Sequence, residues 1–168
     1  MRIPVFVSSP TTLSPAQESV RSLVSAQLER LGLEPRAVGQ SDYPTELPLR
    51  EVLLLARHCS GGVILGFEQY RSLSGVEKPG TCKEAGHDSP RSFPTPWNQI
   101  EAGILIALSL PLLIFREGNI SGGVFDNGVT DVFVHPMPTR SENSGLGSGL
   151  DSVFLKWQAQ VREHYYTL

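Results

Sequence analysis

The sequence predicts a three-layer α/β sandwich, a parallel sheet of about five strands with helices on both faces. Three observations predict it. Short apolar runs alternate with segments of helical period. The runs are apolar throughout, as parallel strands covered on both sides require. The length, 168 residues, suits one domain spanning 1–168 with a sizeable core.

Taken in order, Ile3 to Ser8 (IPVFVS) reads as a buried strand. Ser14 can cap a helix, Pro15 fits its first position, and Gln17 completes a capping box. Val20, Leu23, Val24, Leu28 and Leu31 keep helical spacing, and Gly32 stops it. Leu33 to Val38 reads as a second strand, weakened by Pro35. Pro48 opens a second helix marked by Leu49, Val52, Leu53 and Ala56. Gly62 to Phe67 (GVILGF) is the central strand. Thr95-Pro96 opens a third helix to about Ser109, and Pro111 to Phe115 is another buried strand. Val129 to Val134 is an edge strand, and a last helix runs from about Asp151 to Tyr165. On that helix Phe154, Trp157, Val161, Tyr165 and Tyr166 face the sheet. Two stretches break the pattern. Residues 68–94 have no clear period and form a long irregular insertion, and 136–149 reads as a flexible connector.

Formal net charge is −3, which gives no basic surface for nucleic acid. The longest apolar run, Ile104 to Phe115, is broken by Ser109 and Pro111 and is too short to span a membrane. The N-terminus lacks the pattern of a secretion signal, so a cytoplasmic location is expected. Cys59 and Cys82 are then free thiols. No zinc spacing, Walker loop, dinucleotide fingerprint or G-x-S-x-G elbow is present, and no metal site is expected.

One residue resists an ordinary reading. On a wheel of roughly 100° per residue, Trp97, Ile104, Leu105 and Leu108 make an apolar stripe, and Glu101 lies in its middle. A carboxylate on a buried face is costly unless it is paired or opens into a polar cavity. In an open α/β sheet, that end of the helix lies beside the carboxyl ends of the strands, where ligands bind. The helix dipole there favours the ionised form. The alternative is that Glu101 merely favours the helix start, or makes a structural ion pair with an arginine.

Several of these residues resemble a known superfamily. PVFVSS resembles the first strand of Toll/interleukin-1 receptor (TIR) domains, and Leu53 to Phe67 their helix and following strand. Trp97-Asn98-Gln99-Ile100-Glu101 has the TIR spacing of a Trp with a Glu four residues on. Glu101-Ala102-Gly103, with Ala107 and Pro111-Leu112-Leu113, resembles the related nucleoside 2-deoxyribosyltransferases. Thr95-Pro96 replaces the usual TIR serine, and Asn98 stands where a cysteine is common. The resemblance covers about residues 3 to 135 and implies a flavodoxin-like sheet. It implies Glu101 as the catalytic residue for cleaving the nicotinamide–ribose bond of NAD or a related nucleotide. NAD would be substrate, with no cofactor required. It further implies signalling or antiviral defence, and self-association into a homo-oligomer. Deoxyribosyl transfer between bases is the enzymatic alternative. A non-catalytic nucleotide-binding or assembly module is the rival of another class.

Breaking a bond between an anomeric carbon and nitrogen builds positive charge on the sugar, which a fixed carboxylate stabilises. Around Glu101, the expected substrate contacts are Ser8, Ser9 and Pro10 after the first strand, Gly66 and Phe67 ending the central strand, and Trp97, Asn98 and Asp126. Each has a plainer alternative: a turn at Ser9-Pro10, core packing at Trp97, and an Asp-Asn-Gly turn at Asp126.

Overall fold

Ile3, Val5, Phe6 and Val7 are all buried, so the first apolar run forms a strand, β1 (Ile3–Ser8), with neighbours on both sides. The computed structural model describes residues 2–38, 47–118, 120–139 and 148–167. Helix α1 (Pro15–Arg30) starts at Ser14, whose hydroxyl accepts from Gln17 N while Ser14 N donates to the Gln17 side chain. Gly32, at φ +77°, turns the chain out of that helix in a conformation that glycine adopts readily. Strand β2 (Leu33–Arg36), helix α2 (Pro48–Arg57) and strand β3 (Gly62–Gly66) follow. Four short strands come next: β4 (Tyr70–Ser72), β5 (Gly75–Glu77), β6 (Ala85–His87) and β7 (Arg91–Phe93). Helix α3 (Pro96–Ala107), strand β8 (Leu112–Arg116), a 3-10 turn (Gly123–Phe125), strand β9 (Val134–Pro136) and helix α4 (Ser148–Thr167) complete the chain.

The main sheet has the order β2-β1-β3-β8-β9, parallel throughout. Phe6 pairs with Gly62 and Gly62 with Leu112, so the three central strands lie side by side. Alternate side chains supply two cores. Val5, Val7, Val63, Leu65 and Phe115 pack with α1 and α4 residues, including Leu28, Phe154 and Trp157. Phe6, Ile64 and Ile114 pack with Val52 and Ala56 of α2 and Ala102 and Leu105 of α3. This is a three-layer, flavodoxin-like α/β fold. Its strand order reverses between β1 and β3, the crevice where such sheets bind ligands.

Several boundaries differ from the sequence reading. The edge strand is Val134–Pro136, not 129–134, because Thr130 Oγ1 accepts from Val132 N and turns the chain before it. The second strand stops at Arg36, and Val38 makes only an isolated bridge. In α2 the inward residues are Val52, Leu55 and Ala56, while Leu49 is exposed. Helix α4 extends beyond the expected 151–165, and its Tyr166 is 77% exposed rather than packed on the sheet. Residues 68–94 are not irregular. Strands β4 and β7 pair antiparallel, as do β5 and β6, to make a two-ladder arm. The connector expected at 136–149 falls largely on 140–147, outside the described residues; Pro136 closes β9 and Gly149 lies in α4. Neither cysteine forms a disulfide; Cys59 is buried and Cys82 exposed. Among the described residues, no helix is long and apolar enough to cross a membrane.

Candidate functional site

A cavity of about 310 Å³ opens at the strand-order reversal. That is the lower end of the range for small-molecule sites. The turn after β1 contributes Ser9, Pro10, Thr11 and Thr12. Val38 follows β2, Pro48 and Val52 belong to α2, and Gln69 follows β3. The start of α3 supplies Thr95, Trp97, Asn98 and Glu101.

Helix α3 is aimed by its cap. Thr95 Oγ1 accepts from Asn98 N at 3.3 Å and donates to Asn98 Oδ1 at 3.2 Å. The fully packed stripe of α3 runs through Asn98, Ala102 and Leu105, one residue round from the stripe expected. Glu101 therefore sits where the packed face meets the cavity, not in the middle of the apolar contact. Trp97 is 41% exposed at the cavity wall, so core packing is not its role.

Glu101 does not face bulk water, and among the described residues no ion pair joins it to an arginine. No described residue lining the cavity is a lysine or arginine. Burial pushes its carboxyl up to about 7, and a hydrogen bond from the Ser8 hydroxyl pulls the other way. The ionised carboxylate expected from the helix dipole is thus corrected to a group half protonated near neutrality. The reason is position: Glu101 lies beyond the first turn of α3, where the dipole has faded and desolvation dominates.

The expected contacts divide into two groups. Ser9, Pro10, Trp97, Asn98 and Glu101 share the cavity wall. Ser8 is 1% exposed and lies beneath it, accepting a hydrogen bond from Asn98 Nδ2. Gly66, Phe67 and Asp126 do not line the cavity. A Cβ on Gly66 would lie 2.3 Å from Phe125 Cε1, so that glycine admits the Phe125 ring. Phe67 is fully buried in the core under α1 and α4. Asp126 Oδ1 accepts from Gly122 N at 2.8 Å and closes its own turn.

Gln69, Thr11, Thr12, Val38, Pro48, Val52 and Thr95 were not singled out as cavity residues. The strand-order rule was the available signal, since it directs attention to every loop leaving β1, β2 and β3. Glu68, the residue before Gln69, is held by a polar knot at the root of the arm. Gln17 Nε2 donates to Glu68 O at 3.1 Å and to Glu117 Oε2 at 2.8 Å, and Glu68 N donates to the same Glu117 oxygen at 2.6 Å. The Glu68 carboxylate accepts from Ser92 and Arg71, which hold it below the usual carboxylate range.

No protein-family model matches this chain, and the search of curated proteins found no match. The site is therefore read from its own residues.

Proposed function

We propose that the protein cleaves the N-glycosidic bond of NAD or a related nucleotide, with Glu101 as the catalytic carboxylate. The observation that carries this reading is a half-buried acid, Glu101, in a cavity wall whose described residues include no lysine or arginine, at the ligand end of the sheet. Such a group suits a substrate that brings or develops positive charge. In NAD the nicotinamide ring is cationic. When the bond from ribose C1′ to the ring nitrogen breaks, its electron pair leaves with the ring, which departs neutral. Positive charge then resides on the ribose, where the ionised Glu101 opposes it or bonds to C1′. Water completes hydrolysis by adding its oxygen to C1′ and releasing a proton. Trp97 offers an exposed indole face on which a base can stack. The TIR resemblance of Trp97 and Glu101 supports the same reading.

Incubation with NAD, followed by chromatography for free nicotinamide, tests the proposal. The assay is repeated at high protein concentration to allow self-association. Release by the wild type and its loss in Glu101→Gln are expected. Nucleotide binding without release of any base would favour a binding module instead.

The make-up of the described cavity wall also favours a second reading. With no lysine or arginine among the described lining residues, a substrate without phosphate fits as well. Deoxyribosyl transfer between bases uses such a substrate, and a new nucleoside formed only when an acceptor base is added separates the two.

A further inference from the structure

The ligand end of an α/β sheet commonly holds phosphate, through the free amides of a helix start, a glycine-rich turn or a basic side chain. Here the described residues close each of those routes. Three helices begin at the cavity. Helix α1 starts just beyond its residue Thr12, α2 opens with its residue Pro48, and α3 follows its residue Thr95. Each has proline at the first position, Pro15, Pro48 and Pro96, and proline carries no amide proton. The third amide of each is already bonded within the turn. Gln17 N donates to Ser14 Oγ at 3.3 Å, Arg50 N to Leu47 O at 2.9 Å, and Asn98 N to Thr95 O at 3.2 Å. A phosphate is thus denied the run of adjacent amides that a helix start usually offers. The turn after β1, Ser9-Pro10-Thr11-Thr12, has no glycine, and its Ser9 hydroxyl donates to Pro10 O at 3.3 Å. No described lining residue is a lysine or arginine, and the sequence between Val38 and Leu47 contains neither. Glu101, on the same wall, repels an anion when ionised. The indole of Trp97 and the polar side chains of Gln69, Thr11 and Thr12 remain, groups suited to a base and a sugar.

We infer that Pro48 and Pro96 are specificity determinants: they withhold helix-start amides from phosphate, so that the cavity selects a nucleoside over its 5′-phosphate. The inference deepens the proposed function and rests on it for the choice of a nucleoside as ligand. NAD would then be held by its nicotinamide and the adjoining sugar, with its pyrophosphate adding no affinity.

The test is calorimetry on the wild type with carbocyclic nicotinamide riboside and with its 5′-phosphate. Both keep the base and lack the ring oxygen that stabilises the sugar cation, so neither is turned over. The riboside analogue is expected to bind about tenfold more tightly than its phosphate, the size of a charge repulsion near a protein surface. Pro48→Ala and Pro96→Ala each restore one amide. Each is expected to tighten the phosphate about fivefold and to leave the riboside analogue within about twofold. A wild type that binds the phosphate as tightly as the riboside analogue overturns the inference. So does a phosphate affinity unmoved in both variants, and so does binding of neither analogue. If one proline variant does not fold, the wild-type comparison and the other variant decide. No turnover enters the measurement. A protein that shows this preference yet releases no base from nicotinamide riboside or NAD would overturn the proposed function and leave the selectivity standing. Release of base from NAD together with tighter binding of the phosphate would do the reverse.

Discussion

The larger hollow of the molecule, about 940 Å³, lies where β8 begins, between Ser109–Leu113, the loop at Asp131–Phe133 and helix α4. The 310 Å³ cavity lies at the other end of the sheet, where β1 and β3 finish. Volume favours the first and chemistry the second. Asp131, Lys156 and Glu163 line the large hollow but are exposed, with both signs of charge in water. Burial pushes its His135 down, toward the neutral form. The smaller cavity instead holds the desolvated acid Glu101, whose carboxyl is pushed up to about 7. A site is marked by a group that the fold keeps at a cost, more than by empty space.

The contrast predicts a hierarchy of effects. Glu101→Gln should lower nicotinamide release by about 10³-fold while KM moves little, as loss of one electrostatic group in a transition state does. Single-turnover kinetics check it, and unchanged turnover would break the comparison at its root. Trp97→Ala should raise KM about tenfold with kcat nearly intact, the size of one base–aromatic stack. An equal loss in kcat would place the indole nearer the reacting atoms.

Proton linkage sharpens the contrast further. If the ionised carboxylate is the reactive form, kcat/KM should rise with pH up to about 7 and level above it. The same shift bears on stability. The folded-state carboxyl titrates at about 7 against an ordinary value of 4.5, so the folded protein binds that proton more tightly. Its stabilising contribution is full below 4.5 and is lost as pH rises through about 7. Glu101→Gln never ionises, and should exceed the wild type by about 1–3 kcal/mol at pH 8 and by almost nothing at pH 4. Urea unfolding at the two pH values measures this, and a gain at pH 4 alone would reverse the assignment. The smallest effect belongs to the large hollow. Phe133, 81% exposed on its wall, should tolerate Phe133→Ser with turnover changed by less than about twofold.

The main strands were legible in the sequence because burial on both faces leaves a plain signature, as in Gly62 to Leu65 and Leu112 to Phe115. The arm was not. Its strands have three residues each and are largely exposed, so neither length nor alternation sets them apart from loop. Val129 to Val134 looked like a strand by composition, but a local Thr130 turn took precedence over propensity. Glu101 stood out because a charge among apolar neighbours demands a reason. Phe67 misled because it follows a strand whose end does face the crevice, while its own ring turns back into the core. The hydrogen bond from Asn98 to Ser8 was hidden in the sequence, since the two residues are 90 apart and meet only when β1 and α3 are brought together.

The arrangement at Glu101 also ties occupancy to acidity. Near neutrality the empty cavity holds a fraction of a proton on that side chain. Any cation drawn into it displaces that fraction into the medium, and any neutral guest leaves it in place. Uptake of a charged ring would then be steeper in alkaline surroundings and blunted in acid ones, with the cavity wall itself acting as the sensor.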